Sequence, residues 1–235
     1  MFNSDEQHEI LMVKAKIKGA LVTKIAELPV SLSSLLTNVV LSGGATASLM
    51  HNEEPKDWDL YFKSHEEMSK FFMLVKNDKT LQECVADINE KYMDTLIEGK
   101  LVTVNAVTFK NKLQVIIKQT HDLRFDFDFV HCLPYYDVTS DTFYISEVQF
   151  HSIKDKKLIN NPNRVQGVTP HRIEKFKRQV LGRAVAGRPI EQVVAAGAGV
   201  SEKLGKGPSR DGRVYHHDQW RLCQDRYRRE LVQDV

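Results

Sequence analysis

Apolar residues first recur at helical spacing along the chain and then at the spacing of strands. Between residues 7 and 27 they fall three or four positions apart, which predicts an opening amphipathic helix. An apolar run at 38–42 leads into two glycines, and this predicts a buried strand followed by a helix over 46–51. Polar and apolar residues alternate over 57–62, which predicts a second strand whose two faces differ in polarity.

Both kinds of spacing continue through the rest of the chain. The further predicted elements are helices at 65–76 and 81–97, strands at 101–109, 113–118 and 124–132, a short strand and a helix within 142–158, and helices at 170–185, 189–197 and 217–232. In the strand at 124–132, phenylalanines alternate with charged residues, so Asp126 and Asp128 are expected on one face. The pattern predicts an α+β fold in which a small mixed sheet is flanked by helices.

The charge of the chain is divided unevenly, although its formal net charge is only +2. Residues 1–169 carry 19 Lys and Arg against 23 Asp and Glu, whereas residues 170–235 carry 14 against 8. A stretch rich in Asn and Pro at 160–163 lies close to this change in charge. We therefore predict a core over residues 1–165 and a basic helical region over residues 166–235.

A basic region attached to an acidic core suggests a polyanionic partner, and RNA is the expected one. Ten of the twelve arginines follow position 170, and arginine binds phosphate through two parallel hydrogen bonds. The candidates for nucleic-acid contacts are Arg172, Lys175, Arg178 and Arg183. A solvated helical surface that happens to be basic is the alternative interpretation.

The composition excludes several classes of protein. The chain is 42% hydrophobic and 27% charged, as is typical of a globular protein. No apolar run approaches the roughly 18 residues of a membrane-spanning helix, and the acidic residues near the start argue against a secretory signal. Three widely spaced cysteines form neither a disulfide framework nor a zinc site. We expect a cytoplasmic protein with reduced thiols and no membrane partner, whereas the sequence leaves the oligomeric state undefined.

Three segments carry candidate chemistry. They are the glycine turn Gly43-Gly44, the pair Asp57 and Asp59, and the later pair Asp126 and Asp128. Strand periodicity places the two carboxylates of an Asp-x-Asp pair on one face, about 7 Å apart along the strand. Neighbouring carboxylates suit Mg²⁺ or Mn²⁺, which also bind substrate phosphates. With a third carboxylate from another strand, the arrangement predicts two-metal nucleotidyl transfer.

The glycine turn is predicted to bind the phosphates of an NTP. Free backbone N–H groups and the positive end of a helix dipole favour anions, so Gly43 and Gly44 are candidate nucleotide contacts. Ser42 and Ser48 are candidates for further phosphate contacts, although a strand end and a helix start explain both equally well.

The glycine turn and the first acidic pair resemble a known signature. Gly43-Gly44 followed by Asp57-x-Asp59 is similar to the DNA polymerase β-like nucleotidyltransferase superfamily, and locally to its CCA-adding and poly(A) polymerase branch. The resemblance implies the small mixed sheet of the nucleotidyltransferase fold, two metal ions and an NTP donor.

A later segment resembles a second group of proteins. The residues from Phe127 to Cys132 are similar to uncharacterised nucleotidyltransferase-like proteins of bacteriophages and large viruses. Periodicity alone does not decide between Asp126 and Asp128 as the third metal ligand, because the two share a face. The resemblance favours Asp128, with Asp126 as a supporting or substitute ligand.

Two classes of function follow from these expectations. The first is a template-independent nucleotidyltransferase in which Asp57, Asp59 and Asp128 catalyse transfer of a nucleoside monophosphate from an NTP to a hydroxyl. An RNA 3′ end, such as that of tRNA, is the leading acceptor, and a protein side chain or a small molecule is the alternative. The second class is a non-catalytic protein of the same fold and of phage origin, which binds nucleic acid or takes part in virion assembly. The concentration of carboxylates favours the enzyme.

Overall fold

The computed structural model of the protein describes residues 2–89, 95–118, 127–164 and 168–176. Within these ranges the helices are α1 (Ser4–Ala26), α2 (Val30–Ser33), α3 (Gly44–Met50), α4 (His65–Asn77), α5 (Lys79–Gln82), α6 (Glu147–Lys154) and α7 (Pro170–Phe176). The strands are β1 (Val39–Ser42), β2 (Trp58–Phe62), β3 (Ala106–Thr108), β4 (Leu113–Ile116), β5 (Tyr135–Asp137) and β6 (Thr142–Tyr144). A 3₁₀ turn covers Val130–Cys132. The predicted α+β class is confirmed.

The strands of the described residues form one mixed sheet in the order β3-β4-β2-β1-β5-β6. β2 and β4 run parallel, and every other neighbouring pair is antiparallel. Since β1 and β2 are antiparallel, with Ser42 opposite Asp59, the end of β1 lies beside the beginning of β2. The sheet therefore brings the glycine turn next to the first acidic pair.

Helix α1 confirms the helix predicted from the first apolar pattern. It begins at a capping box, in which the Asn3 side chain accepts the N–H of Glu6 and the Glu6 carboxylate accepts the N–H of Asn3. Val13, Ile17 and Leu21 recur every four residues and form its buried stripe. The helix contacts α2, which precedes β1, and α3, which lies between β1 and β2 along the chain.

The alternation of β2 separates the core from the candidate site. Trp58, Leu60 and Phe62 are buried, whereas Asp59 and Tyr61 on the other face are partly exposed. Helix α4 packs against β2, and the side chains that it buries are Met68, Phe71, Phe72 and Val75. Asp59 therefore lies on the face of β2 opposite to its apolar core residues.

The helix predicted at 81–97 is wrong over the residues described. Asp78 caps only the short helix α5, by accepting backbone N–H groups of its first turn. The chain then turns toward the sheet, where Val85 forms an isolated bridge with Phe109. Backbone groups that pair in a bridge are not available to a helix, so this long-range pairing overrides the helical spacing.

The strand predicted at 124–132 also differs over its described part, residues 127–132. Phe129 forms an isolated bridge with Asn160, and the 3₁₀ turn follows directly. Phe129 and Asp128 are both buried, and the described residues 127–132 form no regular strand.

Some predicted residues cannot be compared with the structure. Asp126, Arg178 and Arg183 lie outside the described residues, as does most of the predicted basic region 166–235. Across the part of the chain that is described, no helix combines the length and the apolar character of a membrane span.

Candidate functional site

Gly43 joins β1 to α3 in a conformation that favours glycine. Its φ is 97°, and its N–H donates to the carbonyl of Cys132 at 3.1 Å. A Cβ atom at this position would lie 2.7 Å from Oδ2 of Asp59. Two independent constraints, the backbone conformation and the close approach of a carboxylate, therefore require glycine here.

Asp57 and Asp59, called the acidic pair below, lie at the beginning of β2. Asp57 is exposed, whereas Asp59 is half-buried, and its Oδ1 is inaccessible to solvent and has no hydrogen-bond partner among the described residues. Burial is the main cause that raises the pKa of Asp59 to about 7; the charge of Asp57 raises it further, and Lys175 opposes the shift. A carboxylate with one buried, unpartnered oxygen beside a second negative charge suits a bound cation.

The other residues predicted to contact phosphate differ in their surroundings. Ser42 is completely buried, and its hydroxyl lies 3.1 Å and 3.0 Å from the carbonyl oxygens of Cys132 and Pro134. That hydroxyl therefore holds β1 against the segment that leads into β5. Gly44 is exposed at the start of α3, with open space where a Cβ would lie, and Ser48 is half-buried on the same helix.

Asp128 is buried, and two arginines compensate its charge. Nη1 of Arg164 lies 2.5 Å from Oδ1, and Nε of Arg172 donates to Oδ2. The backbone carbonyl of Asp128 also accepts the N–H of Asn161 at 2.9 Å. A carboxylate removed from water needs such partners, and here the chain itself supplies them.

Helix α7 brings two predicted nucleic-acid contacts to the acidic residues. Phe176 packs against Phe129 and His131, with ring centroids 4.8 Å and 5.5 Å apart. From the same helix Arg172 reaches Asp128, and Lys175 acts electrostatically on the buried member of the acidic pair. Helix α7 therefore supplies one cation to Asp128 and a second that acts on Asp59.

His131 and Cys132 form the apolar side of the site. Burial lowers the pKa of His131 to about 4, so its ring is neutral near pH 7. Burial also raises the pKa of the Cys132 thiol, and Asp59 and Asp128 add to that effect. A thiol that stays protonated is a poor nucleophile and a poor metal ligand.

The structure groups the predicted metal ligands only in part. Within the described residues, no set of three or more His, Cys, Asp or Glu side chains is placed to hold a metal ion. Asp128 is paired with arginines, and Asp126 lies outside the described ranges. The acidic pair remains, and the unpartnered Oδ1 of Asp59 is the feature that fits a cation. Binding of Mg²⁺ or Mn²⁺ by Asp57 and Asp59 stays a prediction.

Arg164 is the residue of this site that sequence analysis missed. It follows the segment at 160–163 that was interpreted as a domain boundary. Arg164 is one of two arginines before position 170, in a part of the chain with net negative charge. An isolated arginine in an acidic part of the sequence is the feature that could have indicated a partner for a buried carboxylate.

Comparison with known families gives a match over most of the described chain. The model of the Gabija anti-defense 2 family, Gad2, matches residues 12–156. This range includes the whole sheet, the acidic pair and Asp128. A comparison with curated proteins found no match.

The family match corrects the resemblance noted in the sequence. The glycine turn and Asp-x-Asp pair predicted membership of the DNA polymerase β-like nucleotidyltransferase superfamily, and that prediction is wrong. The matching family is a phage anti-defence family and not a recognised nucleotidyltransferase family. A signature of a few residues specifies a local arrangement, which is weaker information than a match over a whole domain. The expected connection with bacteriophages is supported.

Proposed function

We propose that this chain, which belongs to the Gabija anti-defense 2 family, is a bacteriophage protein that counteracts the Gabija defence of bacteria. The match over residues 12–156 supports the biological role. The geometry further supports the acidic pair as the working site. Oδ1 of Asp59 is buried without a hydrogen-bond partner among the described residues, and Oδ2 faces Gly43, where a Cβ would lie 2.7 Å away. Structural carboxylates are usually paired, so an unpaired one beside a second acid indicates a ligand that is cationic.

The residues around the acidic pair suit a phosphate compound bound together with a divalent cation. Asp57 and Asp59 would hold Mg²⁺ or Mn²⁺, and the cation would neutralise phosphate charge and activate an attacking oxygen. Lys175 acts electrostatically on Asp59, and Arg172 of the same helix pairs with Asp128. Because Gly43 has no Cβ, the Asp59 carboxylate can lie directly against the backbone, and this close contact restricts where the carboxylate can be.

A second candidate function is nucleotidyl transfer, and the acidic pair with the unpartnered Oδ1 of Asp59 favours it, because this reaction uses a divalent cation held by carboxylates. This proposal rests on the acidic pair and on the nearby cations, and not on a family resemblance. A nucleoside monophosphate would pass from an NTP to a hydroxyl with release of pyrophosphate. An RNA 3′ end is the leading acceptor, with a protein side chain or a small molecule as alternatives.

A non-catalytic role, in nucleic-acid binding or virion assembly, is the competing proposal. It is favoured by Asp128, because the carboxylate expected as a third ligand is compensated by Arg164 and Arg172. A protein that acts only by binding has no need of a free third carboxylate.

A plating assay tests the proposed role. Bacteria that carry Gabija would express the wild-type chain, Asp57→Ala/Asp59→Ala, or the control Asp87→Ala, which changes an exposed aspartate in a surface ion pair. A Gabija-sensitive phage should plate efficiently on cells with the wild type and the control, but not on cells with the double variant. Failure of the wild type would contradict the anti-defence role, and full activity of the double variant would contradict the acidic pair as its site.

Label transfer separates catalysis from binding. The protein would be incubated with Mg²⁺ or Mn²⁺ and each α-³²P-labelled NTP, together with cellular RNA or protein lysate. Label that enters an acceptor with the wild type and with Asp87→Ala, but not with Asp57→Ala/Asp59→Ala, would support nucleotidyl transfer. Absence of label from a folded protein active in the plating assay would favour the non-catalytic role.

A further inference from the structure

Gln114 of β4 lies directly beside Asp59 of β2. The two strands run parallel, and Asp59 and Gln114 are partners in their register. The preceding pair of that register, Trp58 and Leu113, is buried in the core, whereas Asp59 and Gln114 are both half-buried on the other face of the sheet. Adjacent strands lie about 4.8 Å apart, so the two side chains are immediate neighbours.

A hydrogen bond to the next strand orients the amide of Gln114. Its Nε2 donates to Oγ1 of Thr108 at 2.9 Å, and Thr108 is the register partner of Gln114 on β3. Strand β4 lies between β3 and β2, so an amide nitrogen directed toward β3 leaves the oxygen Oε1 on the side of β2, where Asp59 lies. Among the described residues, this oxygen accepts no hydrogen bond.

The oxygens of Asp59 and Gln114 are acceptors without a donor between them. Oδ1 of Asp59 is buried and unpartnered within the described part of the chain, and the charge of Asp57 acts on the same carboxylate. Neighbouring acceptors repel one another unless a donor or a cation lies between them. An amide oxygen, like a carboxylate oxygen, is a suitable ligand for Mg²⁺ and Mn²⁺.

We propose that Oε1 of Gln114 is a third protein ligand of the divalent cation held by Asp57 and Asp59. The inference rests on the proposed function, which assigns that cation to the acidic pair. Gln114 adds an oxygen without adding charge, so the two carboxylates balance the two positive charges of the cation. The loaded site then carries no surplus negative charge that would repel a phosphate compound.

The Mn²⁺ affinity of the full chain, measured by electron paramagnetic resonance, tests the inference without an activity assay. Gln114→Leu should weaken Mn²⁺ binding by about tenfold, or about 1.4 kcal/mol, because an oxygen ligand is lost. Gln114→Glu should strengthen Mn²⁺ binding by about the same factor, because a carboxylate oxygen replaces the amide oxygen. An unchanged affinity in either variant, or weaker binding by Gln114→Glu, would overturn the inference. If Gln114→Leu fails to fold, Gln114→Glu still decides the question.

Gln7 offers matched control substitutions. It is exposed on α1, where its Nε2 donates to the carbonyl of Phe2. Gln7→Leu and Gln7→Glu make the same chemical changes away from the sheet, and both should leave the Mn²⁺ affinity unchanged. A gain in Gln7→Glu as large as that in Gln114→Glu would assign the effect to net charge and would contradict the role of Gln114 as a ligand.

Thr108→Val separates cation binding from the hydrogen bond between β3 and β4. This variant removes the acceptor of Nε2 but keeps Oε1 of Gln114, so it should weaken Mn²⁺ binding by less than about threefold. A loss as large as in Gln114→Leu would show that Gln114 acts only by joining the two strands, and the inference would fail. The proposed function fails separately, if the wild type binds Mn²⁺ no better than Asp57→Ala/Asp59→Ala does.

Inorganic triphosphate, titrated by calorimetry at saturating Mn²⁺, tests the value of a neutral ligand. Gln114→Glu should bind triphosphate about fivefold more weakly than the wild type, because a third carboxylate leaves the loaded site with net negative charge. Gln7→Glu should bind triphosphate as the wild type does. Equal or tighter triphosphate binding by Gln114→Glu would overturn the inference that the neutral amide favours the phosphate.

Discussion

Gly43 and Asp59 approach so closely that a single methyl group does not fit between them. A Cβ on Gly43 would lie 2.7 Å from Oδ2 of Asp59, and the backbone φ of 97° also disfavours any other residue. We expect Gly43→Ala to lower the free energy of unfolding by about 1–3 kcal/mol and to displace the Asp59 carboxylate. Urea unfolding followed by circular dichroism measures the first effect.

Gly44→Ala is the matched control for that variant. Gly44 has open space at its Cβ position and begins helix α3. Alanine favours helix by up to about 1 kcal/mol over glycine, so this variant should be as stable as the wild type or slightly more stable. Equal stability of the two variants would contradict the packing between Gly43 and Asp59.

A substitution in the core beside β2 should lower the free energy of unfolding more than Gly43→Ala does. Phe71 is fully buried and contacts Phe62 and Phe109, with ring centroids 5.4 Å and 6.1 Å apart. Phe71→Ala should destabilise the protein by about 3–5 kcal/mol, because it removes buried apolar surface and leaves a cavity. Met73→Ala, on the same helix but 43% exposed, should change stability by less than about 0.5 kcal/mol. A similar loss in both variants would contradict the packing of α4.

The acidic pair and the glycine turn could be predicted from sequence because their signals are local. Apolar runs define β1 and β2, and the two glycines end β1 where a turn is needed. The alternation along β2 correctly separates Asp59 from Trp58 and Leu60. Such local patterns predict the structure correctly for β1 and β2, which are the two central strands of the sheet.

The surroundings of Asp128 could not be predicted in the same way. Its environment depends on Arg172, which lies 44 positions later in the chain, and on a bridge between Phe129 and Asn160. Strand periodicity places Asp128 only on the same face as Asp126, whereas its burial depends on these long-range partners. Local propensity gives way to tertiary contacts at such positions.

The two described thiols should differ in reactivity. Cys84 is partly exposed, whereas Cys132 is buried and its thiol pKa is raised. In a Cys223→Ser background, iodoacetamide should modify Cys84 more than about tenfold faster than Cys132, as judged by peptide mass spectrometry. Unfolding in urea should remove the difference. Equal rates in the native protein would contradict the burial of Cys132.

Asp59 should destabilise the protein as the pH rises. Its native pKa of about 7 lies above the ordinary value of 3.8, so the unfolded chain loses its proton first. The stability that this group contributes is complete below about pH 4 and is lost as the pH rises through 7, by at most about 1.4 kcal/mol per pH unit. Asp59→Asn should therefore exceed the wild type in stability at pH 8 more than at pH 4. Asp87→Asn should not show this trend, because the hydrogen bond from Lys100 lowers the pKa of Asp87 rather than raising it. A constant difference would contradict the raised pKa.

His131 should have the opposite effect on stability, which it increases as the pH rises from about 4 to about 6.5. Its native pKa of about 4 lies below the ordinary 6.5, so its contribution is complete above about pH 6.5 and is lost as the pH falls toward 4. In the wild type the effects of Asp59 and His131 partly cancel between these values. Asp59→Asn removes one of them, so its unfolding free energy should fall on acidification more steeply than that of the wild type, by up to about 1.4 kcal/mol per pH unit. Adding His131→Leu should flatten the profile again, and a steep profile that persists in Asp59→Asn/His131→Leu would assign the acid sensitivity to other groups.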